Sequence, residues 1–211
     1  MHPLTENLPK PMLQVCGKPL LQYHVEALAR AGFSDLVINH ARFGERIEAW
    51  FADGAAYGVN IRYSAEDDNP LGTGGGIKRA LSLLGDDPFL VVNGDIWTDF
   101  PLESLIPTLS GLAHLVLVPN PAHHPDGDFV LKNGQVCCSG QPTYTFSGIG
   151  VYKPALFQSI PKQTFPLAPL LRRALQDHQV TGQLYQGPWF DIGTPTRLTQ
   201  LKQYLAQHGG E

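Results

Sequence analysis

The run Phe89-Leu90-Val91-Val92 is apolar without alternation and ends in Asn93-Gly94-Asp95. A strand with one wet face alternates apolar and polar side chains, so an unbroken run asks for cover on both faces. Helices supply that cover in an open α/β sheet, and ligands of such sheets bind beyond the carboxyl ends of the strands. Asp95 therefore reads as a site residue on position alone.

The flanking chain has the matching rhythm. After Gly17 and Pro19, the residues Leu20, Leu21, Tyr23, His24, Val25, Leu28 and Ala29 recur at helical spacing, and Gly32 marks the stop. Leu36-Val37-Ile38 predicts a short strand, 45–51 a helix and 59–63 a second strand. The polar loop 66–71 leads into Gly72-Thr73-Gly74-Gly75-Gly76, after which Ile77, Ala80, Leu81 and Leu84 carry helical spacing. Strands alternating with helices of this length predict a mostly parallel sheet with helices on both faces. Beyond Asp99 the pattern mixes: strands at 112–118, 145–152 and 180–185, a helix at 167–175, and a hairpin over 128–138 turning at Asn133-Gly134. With no linker, repeat or low-complexity tract, the 211 residues read as one domain, long enough to bury a sizeable core.

A second carboxylate stands in Trp189-Phe190-Asp191-Ile192-Gly193-Thr194-Pro195. Thr194 has N-cap chemistry and Pro195 suits a first helical position, which puts Asp191 at the mouth of a helix over 198–204. Two such carboxylates suit a magnesium ion in a phosphoryl-transfer site, where substrate phosphates and water complete the coordination. Each aspartate, taken singly, suits a turn or a helix cap equally well. Gly72 to Gly76 matches neither the P-loop nor the dinucleotide fingerprint; it allows either close backbone approach to a ligand or a plain tight turn. Lys10, stiffened between Pro9 and Pro11, suits a point-charge contact to phosphate, although most lysines are solvated surface charges.

Other chemistries find less support. His123-His124 and Cys137-Cys138 are adjacent pairs that seldom converge on one tetrahedral zinc, and GxSxG and HExxH are absent. A net charge of −4 gives no footprint for nucleic acid or an anionic membrane. No apolar stretch approaches the roughly 18 residues of a membrane helix, and the opening residues lack the regions of a signal peptide. Three cysteines, two of them neighbours, point away from a disulfide framework and toward the cytoplasm.

Pro9-Lys10-Pro11-Met12, Glu66 with Gly72-Thr73-Gly74-Gly75, Asn93-Gly94-Asp95, Phe146-Ser147-Gly148-Ile149 and Trp189-Phe190-Asp191-Ile192-Gly193-Thr194 occur in this order across nearly the whole chain. Together they resemble the sugar-1-phosphate nucleotidyltransferases. The loop Asn120-Pro121-Ala122-His123-His124 with Gly127-Asp128-Phe129, and the stretch Gly74-Gly75-Gly76-Ile77, are similar to the N-acetylmuramate-1-phosphate uridylyltransferases of peptidoglycan recycling. Mannose-1-phosphate guanylyltransferases are the next resemblance, and a non-catalytic nucleotide-sugar binding subunit is the alternative from another class.

The resemblance implies a Rossmann-like three-layer α/β/α nucleotidyltransferase fold on a mostly parallel mixed sheet. It implies transfer of a nucleotidyl group from a nucleoside triphosphate, UTP in the narrower match, to a sugar 1-phosphate. It assigns Asp95 and Asp191 to magnesium, Lys10 to the nucleotide phosphates, and Glu66, Asp67, Gly72 and Thr73 to the nucleotide. Asn93, Asp128, Ser147 and Gly148 would meet the sugar, and Arg173 or Arg197 could answer a lactyl carboxylate. The family's first strand, its glycine-rich loop and an arginine normally precede or lie in the stretch that Met1-His2-Pro3-Leu4-Thr5 resembles. With the first strand and loop missing, the expectation is low activity and poor stability for the chain as written. Ser139-Gly140-Gln141-Pro142 stands where many relatives carry Glu-Lys-Pro.

Overall fold

The computed structural model describes residues 1, 4–66, 71–105, 109–158 and 160–208. A 3₁₀ turn at Lys10–Met12 precedes β1 (Gln14–Val15), β2 (Lys18–Pro19), α1 (Leu20–Arg30), β3 (Asp35–His40), α2 (Gly44–Phe51) and β4 (Asn60–Ala65). Next come α3 (Gly72–Leu84), β5 (Phe89–Val92), β6 (Ile96–Thr98), β7 (Ala113–Val118), β8 (Phe129–Lys132), β9 (Gln135–Cys137) and β10 (Thr143–Tyr152). The chain continues with α4 (Ala155–Gln158), α5 (Leu167–Gln176), β11 (Val180–Leu184), β12 (Trp189–Asp191) and α6 (Pro195–His208). Every strand and helix expected from spacing is present within a few residues of its expected bounds.

The contacts sort the chain into two compact units. The first holds Met1–Ala65, Asn93–Glu103 and Gly187–Glu211; the second holds Glu66–Val92 and Ser104–Gln186.

In the first unit, α1 presents the predicted stripe and stops at Gly32, whose φ of +89° lets Phe33 N–H bond back to Leu28 O at 3.0 Å. β3 pairs with β4 in parallel, and Met12, Val25, Leu36, Ile38, Ile47, Phe51, Val59 and Ile61 close a core around them. A second core joins Leu13, Val15, Leu20, Trp97, Ile192, Leu198 and Leu201. It seats the antiparallel ribbon of β6 and β12 and packs α6 beside β12. The cap on α6 is as expected: Arg197 N–H donates to Thr194 Oγ1 at 3.2 Å, with Pro195 as the first helical residue.

In the second unit, six strands run in the order β5-β10-β7-β11-β9-β8, with β8 also pairing with β10. Tyr152, Phe157, Leu115, Leu117 and Leu171 lie at the centre of its core. The β8–β9 hairpin turns at Asn133 and Gly134, whose φ of 50° and 78° fit the mirror-image turn that matches strand twist.

Two expectations need correction. The six-stranded sheet is mixed, but it is not mostly parallel: within it parallel pairing joins β7 to β11 and the other ladders among the described residues are antiparallel, while β3 and β4 form a separate parallel pair. The long strand β10, reached after the β8–β9 hairpin, returns between β5 and β7 antiparallel to both. The run Phe89 to Val92 is also not buried on both faces. β5 lies at an edge of its sheet, with Leu90, Val91 and Val92 half-buried.

Candidate active site

The first unit gathers Lys10, Asp95 and Asp191. Pro9 and Pro11 hold the turn that carries Lys10, and Met12 N–H bonds to Pro9 O at 2.9 Å. Gly94 lets this turn come close, since a Cβ there would stand 3.0 Å from Pro11 Cγ. Lys10 Nζ then donates to Asp95 Oδ2 at 2.9 Å across 85 residues of sequence. The two side chains are 33% and 43% exposed, so the pair contributes under about 1 kcal/mol to stability. Its value lies in placing a cation and an anion where a ligand can reach both.

Asp191 is brought to Asp95 by the ribbon. Asp191 sits opposite Ile96 in the β6–β12 register, and Ile192 N–H donates to Asp95 O at 2.7 Å. Behind the ribbon, His24 of α1 donates Nε2–H to Ile96 O at 2.8 Å, which fixes its neutral tautomer. Burial pushes this imidazole down to about 4, against the opposing pull of that hydrogen bond and of Asp95. Asp191 Oδ2 also takes Arg197 Nη1 at 3.1 Å. Asn93 lies two residues before Asp95, half-buried.

The donor chemistry fits a magnesium ion in one respect and limits it in another. Asp95 and Asp191 offer hard oxygen donors on adjoining backbone, partly open to solvent. Among the described residues no three His, Cys, Asp or Glu side chains gather to hold an ion. An ion here would depend on substrate phosphates for its remaining ligands. Cys16, Cys137 and Cys138 are free thiols.

The second unit carries the residues expected to meet base and sugar. Glu66 is half-buried and accepts Leu71 N–H on Oε2 at 2.9 Å; Asp67 lies outside the described residues. Gly72 and Thr73 are exposed at the start of α3. The glycine run is therefore the opening of a helix rather than a loop, and its deeper part faces protein. A Cβ on Gly75 would lie 2.2 Å from Gln163 O and one on Gly74 would lie 2.4 Å from the Phe165 ring, while Gly75 N–H bonds to Phe165 O at 3.1 Å. Close packing of the segment 163–166 accounts for Gly74 and Gly75 and extends to Gly72, where a Cβ would lie 2.9 Å from Phe165 O and φ is +72°, while Thr73 is exposed.

Asp128 is placed by its loop. Asn120 Nδ2 donates to Pro125 O at 2.9 Å and to Thr143 O at 3.2 Å, and Gly127, at φ +61°, leaves room for the Asn120 amide. Asp128 Oδ2 accepts Phe146 N–H at 2.8 Å, and Oδ1 meets His124 Nε2 at 3.1 Å. Ser147 is 1% exposed, donating to Val116 O at 2.7 Å and accepting Ile149 N–H at 3.1 Å. It forms, with Gly148 at φ +84°, the bulge of β10 between Phe146 and Ile149. The Ser147 hydroxyl is thus committed to strand geometry. His24, Arg197 and Asn120 are the supporting residues that spacing did not assign to these places.

Comparison with known proteins identifies the family. The Nucleotidyl transferase family profile matches residues 1–129. The chain is 48% identical to the N-acetylmuramate alpha-1-phosphate uridylyltransferase of Neisseria meningitidis serogroup B, over 96% of this chain and 91% of that protein. It is 30% identical to the mannose-1-phosphate guanylyltransferase catalytic subunit beta of Xenopus tropicalis, over 97% of this chain but 61% of that protein, a more distant relative. The fold matches that of UDP-glucose pyrophosphorylase complexed with UDP-glucose, with a TM-score of 0.77, 19% identity, and coverage of 99% of this chain and 94% of that one. The chain belongs to the sugar-1-phosphate nucleotidyltransferases, transferases that make nucleotide sugars by moving a nucleotidyl group onto a sugar 1-phosphate.

Proposed function

We propose that this enzyme transfers the uridylyl group of UTP to N-acetylmuramate 1-phosphate, giving UDP-N-acetylmuramate and pyrophosphate, with magnesium held by Asp95 and Asp191. The observation that supports this chemistry is the β6–β12 ribbon, which brings the backbones of Asp95 and Asp191 side by side, with Lys10 paired to Asp95. The choice of base and sugar is supported by the 48% identity to the Neisseria uridylyltransferase, against 30% for the Xenopus guanylyltransferase.

In this reading an oxygen of the sugar 1-phosphate attacks the α-phosphorus of UTP. A new P–O bond forms, the bond to the bridging oxygen of the β-phosphate breaks, and pyrophosphate leaves with the electron pair. A phosphate monoester has its second pKa near about 6, so the nucleophile is already ionised at neutral pH and no general base is required. Catalysis is then positioning and charge neutralisation. Lys10 sits on a proline-stiffened turn and offers its ammonium to the nucleotide phosphates. Magnesium, when bound, supplies further charge neutralisation to those phosphates. In the second unit the family resemblance would give Gly72, Thr73 and Glu66 to the nucleotide and Asp128 with the backbone at Gly148 to the sugar; in the first it would give Asn93 to the sugar.

No helix among the described residues is long and apolar enough to cross a membrane. A cytoplasmic place in the recovery of cell-wall muramic acid suits the substrates proposed. A panel of UTP, GTP, dTTP and CTP against N-acetylmuramate, mannose and glucose 1-phosphates, read by pyrophosphate release, tests the assignment. The highest kcat/KM is expected for UTP with N-acetylmuramate 1-phosphate; preference for GTP with mannose 1-phosphate would overturn it.

A further inference from the structure

Each of the two proposed magnesium carboxylates carries a cation in the free chain: Lys10 on Asp95 at 2.9 Å and Arg197 on Asp191 at 3.1 Å. The arginine is built into its place by several independent features. Its backbone is fixed at the start of α6 by the Thr194 cap. Gly193 clears the space, since a Cβ there would stand 1.9 Å from Arg197 Nη2; its φ lies outside the left-handed region, so room alone calls for glycine. Arg197 Nε is buried without a hydrogen-bond partner among the described residues. A buried unpaired donor is unfavourable, and here it accompanies a terminal nitrogen, Nη1, held on Asp191.

We propose that Arg197 is the positioning residue of Asp191 and withholds this carboxylate from free divalent ions until nucleotide is bound. The proposal rests on the reading of Asp95 and Asp191 as metal ligands. Two half-open carboxylates on adjoining backbone would by themselves attract a divalent ion. With one cation on each, the local charge is balanced and an ion gains little by entering. The phosphates of a nucleoside triphosphate compete for both cations through charge-assisted hydrogen bonds. The carboxylates are released as the phosphates arrive, so ion and nucleotide enter together, and each raises the affinity for the other by the same factor.

The test is Mn²⁺ binding to the full chain, followed by electron paramagnetic resonance with and without UTP, in wild type, Arg197→Gln, Gly193→Ala and Asp191→Asn. Gly193→Ala keeps the arginine but displaces its guanidinium, so the two first variants remove one contact by unrelated means. Without UTP, both should bind Mn²⁺ roughly fivefold more tightly than wild type, the scale of a partly exposed ion pair. With UTP that advantage should disappear, and Arg197→Lys should restore wild-type behaviour in part. If both variants match wild type without UTP while Asp191→Asn abolishes the uptake seen with UTP, the role of Arg197 is refuted and the metal reading stands. If Asp191→Asn takes up Mn²⁺ with UTP as wild type does, the metal reading fails and the proposal with it.

Discussion

His24 couples the first unit's stability to pH in a way the structure lets one calculate. It is 6% exposed and donates Nε2–H to Ile96 O at 2.8 Å, so it folds as the neutral ring. Its pKa is pushed from 6.5 to about 4 by burial. Above 6.5 the ring is neutral in both the folded and unfolded chain, and the full stability is present. Between 6.5 and 4 the unfolded chain takes up a proton that the folded chain refuses, so stability falls as pH falls. Below about 4 both are protonated and the loss stops growing. At 1.36 kcal/mol per pH unit, the whole loss is about 3 kcal/mol, and most of it has appeared by pH 4.5. Urea unfolding followed by tryptophan fluorescence at pH 7 and pH 4.5 measures it, with His24→Gln as the reference. The glutamine amide reaches the position of Nε2 and can donate to Ile96 O, but it does not titrate. Wild type should lose about 2–3 kcal/mol more than His24→Gln between the two pH values. Equal losses in the two proteins would refute the reasoning.

Other expectations follow from single contacts. Lys10→Met should lower kcat by about 10²–10³, the scale of losing one preorganised charge-stabilising group, while the exposed ion pair it breaks moves Tm by under about 3 °C; pyrophosphate release and a thermal scan check both, and activity within tenfold of wild type would contradict the role. Gly75→Ala places a Cβ 2.2 Å from the Gln163 carbonyl oxygen, and the clash should outweigh the helix-propensity gain of about 1 kcal/mol, lowering Tm by roughly 3–6 °C. A raised Tm would show that the 163–166 segment yields. Tyr152 is fully buried with a hydroxyl that has no partner among the described residues. Tyr152→Phe should therefore stabilise by about 1 kcal/mol in urea unfolding, and a loss of stability would point to a hydrogen bond at that hydroxyl.

What the sequence revealed divides by the range of the interaction. The Asn133-Gly134 hairpin, the Thr194-Pro195 helix start and the Gly32 stop were legible because each is set by the local backbone. The direction of β10 was not, because its pairing with β5 and β7 joins segments far apart in the chain, and an apolar run does not say which way it pairs. The same limit hid the packing of Gly74 and Gly75 against 163–166, so the run read equally as a ligand approach or a plain tight turn. Asp95 and Asp191 stood out through their flanking motifs. That they share one ribbon follows from the Trp97–Phe190 pairing, which periodicity cannot supply. Ser147 illustrates the converse: its motif was visible, while the commitment of its hydroxyl to a bulge required the register of β10.

The central claim is that Lys10, Asp95 and Asp191 form one nucleotidyl-transfer centre. It is tested most directly by UDP-N-acetylmuramate formation from UTP and N-acetylmuramate 1-phosphate with magnesium, comparing wild type with Asp95→Asn and Asp191→Asn by product chromatography. The account predicts that each variant stays folded and loses at least about 10² in kcat relative to wild type. Turnover by either variant at the wild-type rate would contradict it.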